Sequence, residues 1–116
     1  MTKIAVGEYV QEDGSIPYRE WFEGLDAQAA VKVATATIRL SQGNTSGIKW
    51  MGSIGECVID WGPGYRIYLA MDGDSVIVLF GGGTKKRQQE DIERARALHA
   101  EYRSRKRPKQ HGKRKR

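Results

Sequence analysis

From Glu56 to Ala70 the chain alternates in character residue by residue, and between Glu56 and Phe80 it is broken twice by turn-forming residues. Cys57, Ile59 and Trp61 fall on one side of a strand, and Glu56, Val58 and Asp60 on the other, because strand side chains alternate with period two. Gly62-Pro63-Gly64 reverses the chain. Tyr65, Ile67 and Leu69 then alternate against Arg66, Tyr68 and Ala70, and Asp72-Gly73 gives a strong hairpin signal. The apolar run to Phe80 reads as a central strand. This segment is expected to fold as a three-stranded antiparallel meander.

The flanking segments supply helices. Lys3 to Val10 reads as a strand ended by Asp13-Gly14. Pro17 suits the first turn of a short helix through Glu23, closed by Gly24. Asp26 is positioned to cap a second helix running to about Ser41. Its apolar residues form two adjacent stripes: Ala29, Val33, Ala36, Leu40 and Val31, Ala34, Ile38. Together they predict a wide face against a sheet. Residues 45–55 read as a loop or irregular strand. A last helix from Gln88 carries Ile92, Ala95, Leu98 and Tyr102 at helical spacing. The expected architecture is α+β: a small antiparallel sheet packed by two N-terminal helices and a C-terminal helix, in one domain of residues 1–102.

The net charge of +6 is unevenly placed. Residues 103–116 hold nine of the 20 Lys and Arg, leaving 11 cations against 14 acids, a net of −3, in residues 1–102. A basic tail without an apolar anchor is expected to be disordered and to bind polyanions by counterion release, or else to act as a solubilising terminus. The lone Cys57 cannot form an intramolecular disulfide, and Met1 to Glu8 breaks up before any apolar signal segment forms. The expectation is a cytoplasmic protein with no membrane partner.

Arg66 and Tyr68 share a strand face. Residues 82–87, read as a loop at the rim of the same sheet, bring Lys85, Lys86 and Arg87 to the start of a helix. Cations there oppose the helix dipole and fit better if an anion sits among them. No metal-ligand or cofactor motif accompanies them, and the set suits a phosphodiester. RNA can be cut by its own 2′-hydroxyl if a protein moves the protons and stabilises the phosphate. Arg66 suits the phosphate, since its planar fork stays charged. Lys85 suits proton transfer, because neighbouring cations favour its neutral form. Tyr68 would orient the hydroxyl or stack on a base. Lys49, Trp50, Lys86, Arg87, Arg105 and Arg107 are candidate RNA contacts. His99 and His111 read as surface residues, Glu56 and Asp60 as a solvated edge or a contact to the cations. Cys57, Trp61 and Tyr65 read as core.

The order of Glu20-Trp21, Gly24-Leu25-Asp26, Gly55-Glu56, Gly62-Pro63-Gly64-Tyr65-Arg66-Ile67-Tyr68, Gly82-Gly83-Thr84-Lys85, Gln88 and Asp91-Ile92 resembles the addiction-module killer proteins, the HigB-like branch of the RelE/ParE toxin superfamily. The resemblance covers roughly residues 15–100. It implies a RelE-like fold, a cytoplasmic toxin held by a partner antitoxin of helix-turn-helix type, and metal-independent cleavage of messenger RNA on the ribosome. It maps the site onto Arg66, Tyr68 and Lys85. Two positions depart from the pattern: Val58 stands where an arginine is usual, and Thr84 where an aspartate is usual. A ParE-like DNA gyrase poison and a non-enzymatic RNA- or ribosome-binding module are the alternatives.

Overall fold

The computed structural model describes residues 3–106. Strand β1 (Ala5–Glu8) is followed by helices α1 (Pro17–Glu23) and α2 (Ala27–Ser41). Strands β2 (Lys49–Met51), β3 (Ile54–Ile59), β4 (Tyr65–Asp72) and β5 (Val76–Thr84) come next. A 3₁₀ turn (Lys85–Arg87) then leads into α3 (Gln88–Lys106). The fold is α+β, with a five-stranded sheet in the order β1-β5-β4-β3-β2.

The meander forms as expected, but the sheet is mixed. β1 lies parallel to β5, while all other pairs are antiparallel. β5 is buried through Ile77, Val78, Leu79 and Phe80 and takes β1 as its second neighbour. The alternation within β1 carries no information on its direction. The segment expected as a loop or irregular strand contributes a strand: Lys49–Met51 pairs back on Ile54–Glu56 across a turn in which Gly52 has a φ of +71°.

Each face of the sheet carries its own core. On one face Tyr18 of α1 and Val33 and Leu40 of α2 pack on Ile67, Leu69, Ile77 and Leu79. On the other, Ile92, Ala95 and Leu98 of α3 pack on Ile54, Tyr68, Ala70, Val78 and Phe80. Asp26 caps α2 by accepting from Ala29 N at 2.9 Å. Of the two stripes on α2, one is buried. Val31 and Ile38 of the other are 64% and 56% exposed, because the sheet is covered by α1 and α2 side by side and only one stripe faces it.

Helix α3 runs four residues beyond the expected domain end at residue 102. Arg105 reaches back to Tyr9 Oη (3.1 Å) and Val10 O (2.8 Å), and Lys106 pairs with Asp72. These partners lie far away in sequence, so the charge run alone does not reveal them. Residues 107–116, including Arg107 and His111, lie outside the described residues. Among the described residues no helix is long and apolar enough to cross a membrane.

His99, expected at the surface, is 8% exposed and leans on Phe80 with ring centroids 5.5 Å apart. The cause is helical geometry: His99 follows Leu98, and the α3 face that meets the bulky Phe80–Tyr102 cluster is wide enough to take both. Tyr65 is half-buried and packs against the core under α1 and α2, while Trp61, expected in the core, is half-buried outside it and stacks on Tyr65 with ring centroids 6.2 Å apart.

Candidate functional site

The site is built where β3, β4 and β5 meet the turn at Gly64. Arg66 on β4 stands between Val58 of β3 and Gly83 of β5. Gly82 and Gly83 prove to be strand residues, and each is glycine for lack of space. A Cβ at Gly82 would sit 2.4 Å from the Trp21 ring, and one at Gly83 would sit 2.0 Å from Asp91 Oδ2. The cationic segment is therefore the end of a strand and a single 3₁₀ turn, which holds Lys85 at a defined place.

Arg66 is 12% exposed at its side chain. Its Nη1 donates to Gly64 O at 2.7 Å. Its Nε lies 3.3 Å from Glu56 Oε2, within ion-pair distance but off the hydrogen-bond axis, so that N–H is buried without a hydrogen-bond partner. Gly64 is also where Lys85 arrives. The position a Cβ would take there is 3.2 Å from Arg66 Nη1 and 3.9 Å from Lys85 Cβ. A φ of +80° further favours glycine in this turn. Arg66 and the Cβ of Lys85 thus lie beside one backbone turn.

Tyr68 is a different matter. It is 1% exposed, its ring lies in the core under α3, and its hydroxyl donates to Glu56 Oε2 at 3.2 Å. Burial, followed by the Glu56 charge, pushes its ionisation well above the usual tyrosine range. A side chain so enclosed neither stacks on a base nor reaches a substrate hydroxyl. It positions Glu56 instead.

Glu56 is the residue that the sequence reading undervalued. It is 1% exposed and receives Tyr68, Gln88 Nε2 at 2.7 Å and the charge of Arg66. A buried carboxylate is tolerable only with such partners. The signal was available: the hairpin register sets Glu56 opposite Tyr68 and Val58 opposite Arg66, on one face. Asp91, in the first turn of α3, packs over Gly83, and burial raises its carboxyl above the usual range despite nearby Arg87. The start of α3 therefore already carries acids of its own, Glu90 and Asp91, facing its dipole.

The remaining candidates divide between places. Lys85, Lys86 and Arg87 are exposed, and Arg87 pairs with Glu90 at 2.5 Å. Lys49 is exposed on edge strand β2, in register with Glu56. Trp50, also on that strand, is 46% exposed. Arg105 lies at the far end of α3, roughly 27 Å along the helix from Arg87 at 1.5 Å per residue. Cys57 is partly buried, and burial raises its thiol, which disfavours a nucleophilic role. Among the described residues no three His, Cys, Asp or Glu side chains gather as metal ligands.

No protein-family model matches the chain. An uncharacterized protein of Haemophilus influenzae is 33% identical over 91 residues, which span 77% of this chain and 92% of that protein. Identity at that level over nearly the whole of the relative is family membership: the chain belongs to the same protein family as this Haemophilus influenzae protein.

Proposed function

We propose that the protein is the toxin of a type II toxin–antitoxin pair, with a RelE-like fold of the HigB-like branch, and that it cuts messenger RNA on the ribosome without a metal. The observation that carries this reading is the meeting of Arg66 and Lys85 at Gly64, with the guanidinium braced from behind by buried Glu56. In the proposed step the RNA 2′-hydroxyl loses its proton and attacks the adjacent phosphorus. The bond to the 5′-oxygen breaks, and that oxygen takes up a proton, leaving a 2′,3′-cyclic phosphate and a 5′-hydroxyl.

Arg66 stabilises the charge that grows on the phosphate oxygens. With Nη1 committed to Gly64, its position is set before substrate arrives, which lowers the cost of reorganisation. Exposed Lys85 is the proton carrier, and Lys86 with Arg87 draws the RNA backbone to the rim. Tyr68 and Gln88 act through Glu56. The toxin works in the cytoplasm, and a helix-turn-helix antitoxin restrains it by covering the cationic rim.

Val58 favours a second reading. It is 45% exposed beside Arg66, where an arginine would add a second cation. A site with one cation fewer fits a non-enzymatic RNA- or ribosome-binding module.

Expression from a tight promoter, with genome-wide mapping of RNA 5′ ends, separates these readings. New ends inside translated frames, reduced on the order of a hundredfold or more by Arg66→Ala, are expected for the nuclease. Growth arrest without new ends, accompanied by gyrase-linked DNA cleavage, would replace it with a gyrase poison. Neither arrest nor ends would leave the binding module.

A further inference from the structure

Strand β1 is an edge of the sheet, with β5 between it and the strand of Arg66. That edge is open over a short stretch and shut at both ends. Ala5 N donates to Ser75 O at 2.9 Å and Tyr9 N to Leu79 O at 3.0 Å, on the β5 side. Backbone N–H groups alternate sides along a strand, so those of Val6 and Glu8 point away from the sheet. At one end of the stretch Ser41 O accepts from Ile4 N at 2.9 Å. At the other, Arg105 Nη1 donates to Val10 O at 2.8 Å. The N–H and C=O groups of Val6 and Glu8 lie in the notch between, with no protein partner among the described residues.

A groove flanks the notch on each face of the sheet. Toward α1 and α2 it has a volume of about 460 Å³ and is lined by Val6, Phe22 and Leu79 among others. Toward α3 it has about 380 Å³, with Gly7, Val78, Tyr102 and Arg105 in its walls. Val10, 47% exposed, stands at the mouth of the second. Water satisfies the backbone of a short sheet edge in any protein, so open groups alone indicate nothing. Gly7 is what water does not explain. It has no positive φ, β1 runs beside β5 without a bulge, and a Cβ there would meet nothing within 4 Å. A strand glycine without those causes fits a place where another backbone or a ligand comes close.

Arg105 sets the charge of the α3 side. Its Nη1 serves Tyr9 Oη and Val10 O, both uncharged, and no carboxylate among the described residues lies within ion-pair distance of it. Glu101 is engaged by Tyr9 Oη, and Glu12 stands farther off. A second copy of the chain fits the notch poorly. Its own β1 lies between its own Ser41 and Arg105, and those flanks would meet the flanks here. A single extended peptide brings no flanks. We propose that the β1 edge takes an extended acidic segment of a partner protein as an added strand, bonded to the backbone of Val6 and Glu8. Tyr9 packs under α3 and Val6 under α1 and α2, so Gly7 shares the face of Tyr9. On that face a large apolar side chain of the peptide covers Gly7, and a carboxylate two residues along meets Arg105. The intervening side chains enter the groove beside Val6.

The test uses the full chain and the fluorescein-labelled peptide Ser-Asp-Val-Phe-Val-Asp-Ser, whose palindromic order permits strand addition in either direction. Hydrogen exchange followed by NMR should slow at the Val6 and Glu8 amides when the peptide is added. The Gly7 and Tyr9 amides, which face β5, should change little. Gly7→Val should weaken binding, read by anisotropy, at least about tenfold by filling the space over the strand. Its melting temperature should stay at or above the parental one, because glycine is the poorer strand residue. Lysine in place of both peptide aspartates should weaken binding about tenfold in dilute salt. Arg105→Gln should abolish most of that difference.

Parental affinity in Gly7→Val would overturn the proposal, and so would unaltered exchange at Val6 and Glu8 in millimolar peptide. Slowing that rises with protein concentration alone would give the edge to a second copy and overturn it too. A preference for aspartate that survives Arg105→Gln would overturn the acidic pairing. None of these readouts involves RNA, so the 5′-end mapping decides the nuclease reading by itself.

Discussion

Two carboxylates stand along β4, Glu56 of β3 beside its first half and Asp72 at its last residue, with related partners and opposite surroundings. Glu56 holds a tyrosine, a glutamine and an arginine at 1% exposure, while Asp72 holds Tyr102 and Lys106 with a side chain 26% exposed. In water the gain of an ion pair nearly cancels against solvation and side-chain entropy. Inside the protein, desolvation makes each partner dependent on the other, and removing one strands a charge. The comparison teaches that the Arg66 end is a rigid unit, in which a change to any member disturbs the rest. At the Asp72 end solvent can replace a lost partner, so single changes there cost less.

The sharpest way to break the comparison is Glu56→Ala. It leaves Arg66 buried beside no carboxylate and should destabilise the fold by about 3–5 kcal/mol, measured by chemical denaturation. A loss no greater than that of Asp72→Asn in the same assay would mean that the two ends do not differ.

A matched pair of substitutions comes next. Tyr68→Phe deprives a buried carboxylate of a donor and should cost about 1.5–3 kcal/mol, as hydrogen bonds to charged groups do. Tyr102→Phe at the exposed end should cost distinctly less, although the bond to Asp72, with burial added, pushes the Tyr102 hydroxyl up to about 12. Equal costs would show that burial is not what separates the networks.

The smallest effect is one of pH, at His99 of α3. Burial, reinforced by Arg103, holds His99 below the ordinary histidine value near 6.5. As pH falls through 6.5 the unfolded chain takes up a proton that the folded chain resists, so stability declines toward the lower folded value and is fully present above 6.5. His99→Leu should flatten that decline in denaturation curves between pH 7 and 5. A decline unchanged by the substitution would assign it to other groups.

Much of the fold was legible because the periodicities were strong. The alternation from Glu56 to Ala70, the apolar run to Phe80, the Asp26 cap and the Ile92, Ala95, Leu98 stripe each name an element. The nearness of the Lys85 segment to the Arg66 strand was legible as well, since the hairpin signal at Asp72-Gly73 returns the chain beside it. The role of Tyr68 was not. Alternation puts it on the face of Arg66, but whether that face is open or roofed depends on where α3 lies, and α3 covers Tyr68 while leaving Arg66 at the margin.

By itself the sequence determined the α+β class, the meander, the helix boundaries near Gly24 and Asp26, and the separation of a basic terminus from an acidic body. All of these depend on neighbours within a few residues. Only the tertiary structure decided that β1 runs parallel beside β5, that one stripe of α2 remains exposed, and that Glu56 and His99 are buried. It also decided that Arg105 folds back on Tyr9. Each of these depends on what is brought to a residue from the other end of the chain. Such partners alter solvation and charge without leaving any periodic mark in the sequence around it.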